Sequence, residues 1–230
     1  MGKIFIILIL TMVSESSFSQ TFTDSLVNVL KKKKFTETTS FLENSKSKNI
    51  RRLLDRQILN NYTEVLYEIT DGKGEEIKLF CDGDKLIYAK IVSDDKKKFE
   101  EKDSVALKHF YKDYLIFFGA KVNINGFFVK DIQYGRSCGF VGVDPPLRKE
   151  MTKLVAAKNT KELTKWLQSP VTEKQLYGVE AFNSLEGKGF TLSPLQKKLI
   201  DFIKTKKGKV KTCNGCIYSD MEISEIFVKK

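Results

Sequence analysis

The chain has 230 residues, 41% of them hydrophobic and 11% aromatic, and that content excludes a disordered polymer while allowing one domain or two small ones with a proper core. Lysine and arginine together number 40 against 29 acidic residues, for a net charge of +11, yet Arg51, Arg52, Arg56, Arg136 and Arg148 are the only arginines. Sequence-reading nucleic-acid sites lean on arginine forks with interleaved aromatics, so that partner class is excluded.

The first segment reads as an export signal over residues 1–19. Lys3 precedes an apolar run from Ile4 to Val13, and Ser17 and Ser19 supply the small-x-small pattern for cleavage before Gln20. A ten-residue helix rises only about 15 Å, roughly half a bilayer core, so this run does not span a membrane. No cysteine lies near the junction to take a lipid anchor, and charges interrupt every later apolar stretch.

Downstream, Leu26, Val27, Val29 and Leu30 make a short apolar helical stripe. Ile50, Leu53, Leu54, Ile58 and Leu59 recur at helical spacing and predict a helix from about Lys48 to Asn60. The period then changes to two. Val65, Tyr67 and Ile69 alternate with Leu66 and Glu68, and Ile77, Leu79 and Cys81 follow the turn Asp71-Gly72-Lys73-Gly74. After Asp82-Gly83, Leu86 to Val92 completes a three-strand meander. Asp103 or Ser104 caps a helix with the face Leu107, Phe110, Tyr111, Tyr114, Leu115 and Phe118, which Gly119 ends. Asn125-Gly126 predicts a hairpin between residues 121–124 and 127–129. A glycine-rich stretch from Gly135 to Gly142 leads into Asp144-Pro145-Pro146, where a strand should end.

The remainder reads as helical. Asn159 with Glu162 forms a capping box, Ser169-Pro170 and Ser193-Pro194 each place a cap before a first-turn proline, and Ser219 with Glu222 starts a last short helix. Gly187 and Gly208 are the expected stops. Leu163, Trp166 and Leu167, followed by the run Tyr177 to Leu185, make residues 160–207 resemble a HEAT-type helical pair plus a following helix. That resemblance implies a binding surface and not a catalyst.

Cys213-Asn214-Gly215-Cys216 is the most pointed motif. It reads as a structural staple, as a redox dithiol, or as half of a metal site. With Cys81 and Cys138 the cysteines allow two disulfides in an oxidising compartment, and the expected pairing is Cys213–Cys216 with Cys81–Cys138. A lone histidine, His109, excludes a multi-histidine metal centre, and beside Cys138 it offers a nucleophile–base pair that is weighed against a surface position on its helix. The stretch from Gly135 to Gly142 lacks the Gly-Lys-Ser/Thr ending of a phosphate loop, and Glu75-Glu76 and Asp94-Asp95 read as surface charges. No catalytic residue, metal site or cofactor is assigned.

The densest lysine runs are Lys31 to Lys34, Lys96 to Lys98, and Lys204, Lys206, Lys207, Lys209 and Lys211, read as solvated surface with weak attraction for anions. The expectation is an exported α+β protein, periplasmic or extracellular, with an α+β part over 20–145 and a helical part over 146–230. Its lysine-rich, arginine-poor usage and Ser-Phe-Ser-Gln junction resemble those of exported Bacteroidetes proteins. The expected function is a non-catalytic interaction or structural role in a bacterial envelope, with a protein or an anionic envelope polymer as partner. The alternative is a thiol–disulfide redox protein acting through Cys213 and Cys216.

Overall fold

A computed structural model describes residues 22–45, 49–70, 74–94 and 96–227. The export signal, its cleavage site, Asp71 to Lys73 and Asp95 lie outside these. The fold is α+β, as the sequence predicts: the described residues form seven helices, a five-stranded antiparallel sheet and a second, three-stranded sheet.

The large sheet is a simple meander. Strands β1 (Ile50–Leu59), β2 (Tyr62–Ile69), β3 (Glu75–Asp82), β4 (Lys85–Ser93) and β5 (Lys96–Lys102) pair in chain order. Alternation along β2 sends Val65, Tyr67 and Ile69 to one face and Tyr62, Glu64 and Leu66 to the other. The first face packs under α1 (residues 22–31) and α2 (Phe35–Asn44), where Leu26, Leu30 and Leu42 meet Ile77, Leu79, Cys81 and Ile91. The second face receives α3 (Ser104–Phe118), and Phe110, Tyr114 and Phe118 close over Leu66, Phe80 and Tyr88. Asp103 caps α3 by accepting from the Ala106 N–H, and Gly119 ends it in the left-handed region at φ 71°.

The helix predicted over 48–60 is instead β1. Two bulges, at Arg52/Leu54 and Gln57/Leu59, set Leu53-Leu54 and Ile58-Leu59 as apolar doublets, which copies the spacing of a helical stripe. Arg56 breaks the alternation further, because it points inward and is 1% exposed. Strand β5 escaped notice because its sequence KKKFEEK offers only Phe99 to the core.

The hairpin predicted at Asn125-Gly126 is absent from the described residues. Ile124–Gly126 form one 3-10 turn, in which Asn123 Oδ1 accepts from the Asn125 N–H. Phe127 and Phe128 then enter the core, with ring centroids 5.3 and 6.5 Å from that of Phe80. Filling the gap between α3 and the sheet buries two rings, which a two-stranded ribbon at the surface would leave half wet.

Four helices follow: α4 (Pro146–Ala156), α5 (Thr160–Leu167), α6 (Thr172–Glu186) and α7 (Pro194–Thr205). Asn159 caps α5, and Ser193 with Gln196 forms a full capping box on α7. Ser169-Pro170 does not open α6. Ser169 Oγ accepts from the Val171 N–H, and the helix begins at Thr172, whose side chain is needed inside. Gly187 ends α6, whereas α7 stops at Thr205, short of Gly208.

The last segment is strand where a helix was predicted. Strand β6 (Tyr134–Cys138) pairs in parallel with β7 (Lys209–Gly215), which pairs antiparallel with β8 (Ile217–Glu222). Ser219 lies opposite Thr212 in that ladder and its carbonyl accepts from the Thr212 hydroxyl, so it caps nothing. The helices, α3 and one face of the large sheet share one continuous core.

An ionic cluster lies inside that core. Arg56 Nε and Nη1 donate to Glu64 and Glu173 at 2.6 and 2.7 Å, and Arg56 Nη2 donates to the Val129 carbonyl. Glu64 also accepts from the Phe128 N–H at 2.7 Å. Truncating Arg56 strands two buried carboxylates, so Arg56→Ala should cost about 3–5 kcal/mol, read as a lower urea midpoint at unchanged slope.

Candidate functional site

Two places in the fold concentrate chemistry-bearing side chains: the ionic cluster between sheet and helices, and the small sheet with its disulfide. The cluster is sealed. Arg56, Glu64, Glu173 and Lys206 are each at most 1% exposed. Lys206, which the sequence places in a surface lysine run, turns inward at the end of α7, where its Nζ donates to Thr172 Oγ1 at 3.0 Å and Gln175 Oε1 at 2.9 Å. Burial, together with the Arg56 cation, pushes its pKa down to about 7, and the two carboxylates offset only part of this. For Arg56 burial opposes the charge, but Glu64 and Glu173 outweigh it and hold the pKa above the ordinary value. A perturbed lysine in a cleft would suggest catalysis. This one is 1% exposed, and its two bonds tie the end of α7 to α6.

The small sheet is the accessible site. Cys138 and Cys213 form a disulfide with Cα atoms 5.3 Å apart. This corrects the expected pairing, since Cys81 is buried under α1 and α2 and Cys216 is an exposed free thiol. The reason is topological. Parallel pairing of β6 with β7 sets Cys138 beside Cys213, while Gly215 (φ 57°) and Cys216 form the two-residue loop of the β7–β8 hairpin. A Cβ on Gly135 would overlap the Cys213 carbonyl and crowd its sulfur, so only glycine lets the strands close. The bond spans 75 residues, and cross-linking a loop of that size is worth about 4 kcal/mol in the chain-entropy estimate.

Polar contacts fix the same sheet to the helices. Tyr177 Oη accepts from the Gly135 N–H, Arg148 Nε donates to the Gly135 carbonyl, and Arg148 Nη2 pairs with Glu180 at 2.6 Å. Tyr134 Oη donates to the same Glu180 carboxylate at 2.9 Å. Beside this frame lies an open cleft of about 570 Å³, with Arg136, Arg148, Glu180, Asn214, Met221 and Phe227 among its walls. A second hollow of about 300 Å³ lies between Cys138, Val143, Pro145 and Tyr218.

The rim is apolar and wet. Phe140 is 95% exposed and Val141 84%, on the turn after β6; Val143 is exposed at the end of that turn, and Ile217 and Tyr218, exposed at the start of β8, line the cleft and the second hollow respectively. The turn is held to the hairpin by the Gly139 N–H donating to the Gly215 carbonyl at 2.8 Å. The sequence carried a signal for this tip: two apolar residues set between Gly139 and Gly142, a place where no element could bury them.

The structure does not assemble the His109–Cys138 pair, because Cys138 is in a disulfide and His109 is exposed on α3. Among the described residues no group of three or more His, Cys, Asp or Glu side chains could hold a metal ion. Comparisons with known protein families, with curated proteins and with solved structures found no match to this chain.

The buried lysine gives a pH signature. The unfolded chain holds the Lys206 proton up to about 10.5, and the folded chain releases it near 7, so the unfolded state binds more protons between those values. The burden of a buried ammonium is therefore full below pH 7 and is relieved as pH rises. Relative to Lys206→Met, the native protein should gain stability from pH 7 to 10 by at most about 1.4 kcal/mol per unit, measured by urea unfolding at each pH.

Proposed function

We propose that this protein is an exported, non-catalytic interaction protein of a bacterial envelope, which holds a partner on the disulfide-braced small sheet. One observation carries the reading. Of the nine exposed large apolar side chains among the described residues, five belong to the small sheet and the turn that follows β6: Phe140, Val141 and Val143 on the turn, and Ile217 and Tyr218 at the start of β8. Burying a side chain of this size is worth about 1.5–3 kcal/mol, and a rigid frame lets a partner collect that without first ordering the loop. The same reading takes α5, α6 and α7 as a HEAT-type pair with a following helix, a packing unit suited to binding. The disulfide fits an oxidising compartment, and no helix among the described residues is long and apolar enough to cross a membrane.

The favoured partner is a protein, because the exposed side chains are apolar and the exposed Asp144 follows Val143 directly. An anionic polymer would draw instead on the scattered lysines, and moderate salt would release it. A second reading, thiol–disulfide redox chemistry through Cys213 and Cys216, is favoured by the exposed Cys216 thiol. Cycling of those two residues with a physiological reductant would establish it.

The binding reading is tested in cells. With a photo-crosslinking residue at Phe140, the envelope fraction should give one dominant adduct, and Tyr218→Asp should reduce it at least about tenfold without lowering the melting temperature, since Tyr218 is 55% exposed. The isolated chain should begin at Gln20 by intact mass. A diffuse adduct pattern indifferent to Tyr218→Asp, or an uncut chain, contradicts the reading.

A further inference from the structure

Three of the four cysteines meet at one end of the small sheet. Cys138 closes β6 and is bonded to Cys213, and its register partner Gly215 is followed directly by Cys216. Cys213 lies three residues before Cys216, so their Cα atoms are within roughly 11 Å, and the Cys138 and Cys216 Cα atoms are within roughly 9 Å. Cys216 is the exposed thiol of the set. Asn214 and Ile217, which pair to hold the hairpin tip, are exposed as well, so opening that pair sacrifices few buried contacts.

We propose that Cys216 is the attacking thiol of an internal thiol–disulfide exchange that moves the bond of Cys213 from Cys138 to Cys216. Cys216 first gives its proton to water. Its thiolate electron pair then forms a bond to Sγ of Cys213, the Cys138–Cys213 bond breaks, and Cys138 leaves as a thiolate that takes a proton back from water. One thiol and one disulfide exist among these residues before and after, so the step consumes no oxidant or reductant. Cys138 is the better leaving group because it is half-buried, whereas Cys213 is 4% exposed and a thiolate there would lack water. Cys81 takes no part, since it lies in the core beneath α1 and α2 and burial holds its thiol protonated.

The exchange has a structural result. It releases the covalent tie between β6 and β7 and leaves the turn carrying Phe140 and Val141 held by hydrogen bonds alone, including the one between Gly139 and Gly215. The two disulfide isomers therefore present the apolar tip with different rigidity. This inference does not depend on what the tip binds.

The test uses the whole oxidised protein at mildly alkaline pH, with a catalytic amount of a small thiol to start exchange. Samples are acid-quenched over time, alkylated after denaturation and mapped by peptide mass. The alkylated thiols should stay at two per chain, Cys81 and one other, while label passes from Cys216 to Cys138 and a Cys213–Cys216 disulfide is mapped. The Cys138 label should exceed that in Cys216→Ser at least about tenfold. Label confined to Cys216 and Cys81 at every time overturns the proposal. So does equal Cys138 label in Cys216→Ser, or a Cys138–Cys216 bond in place of Cys213–Cys216.

Discussion

A guanidinium lies in the dry seam between the large sheet and the helices, and the way it is satisfied joins β1, β2, α6 and the segment after α3. Arg56 enters from a bulged strand, Glu64 from the neighbouring strand and Glu173 from the first turn of α6. No two of these elements could withdraw without leaving a buried charge uncompensated, a far larger penalty than the loss of a few apolar contacts. The backbone takes part too, since Glu64 receives the Phe128 N–H and Arg56 reaches the Val129 carbonyl. The segment that carries Phe127 and Phe128 into the ring cluster is thus held by the ionic cluster as well as by ring packing. Lys206 closes the cluster from α7 through neutral partners, Thr172 and Gln175, which hold it without adding another charge.

How much of this was legible depended on whether the signal was local. Strands β2 and β3 are readable because apolar residues alternate along them, β4 because an apolar run follows the Asp82-Gly83 turn, and α3 because Asp103, its apolar face and Gly119 lie within seventeen consecutive residues. The cap at Ser193 was readable for the same reason. Strand β1 was not, because its bulges turned a period of two into apolar doublets and because Arg56 occupies an inward position that pattern reading assigns to water. Asn125-Gly126 is a sound hairpin signal that lost to a tertiary demand, the gap above Phe80. Lys206 reads as surface in the sequence because its partners Thr172 and Gln175 are some thirty residues away and carry no charge.

The candidate site was legible only in its parts. Every cysteine was noted, and so was the glycine-rich stretch, but the pairing depended on β6 lying beside β7, with four helices between them in sequence. Nothing within either strand announces the other. Gly135 shows the point at one residue: in sequence it is one glycine of a loose-looking run, whereas in the fold it is the place where two backbones come too close for any side chain. Phe140 and Val141, between their flanking glycines, were the part of the site that sequence alone offered most openly.

The parallel pairing of β6 and β7 also fixes an order of events during synthesis. Strand β6 leaves the ribosome about seventy residues ahead of its partner strand, and away from that partner it meets Tyr177, Arg148 and the isolated Cys138–Val143 bridge. Until β7 emerges, the nascent chain carries an unmatched ladder edge next to an unprotected sulfur. Completion of the small sheet is therefore a whole-chain event: contacts of such long range form late, and a nascent chain stalled before residue 209 would expose sticky strand and reactive thiol together.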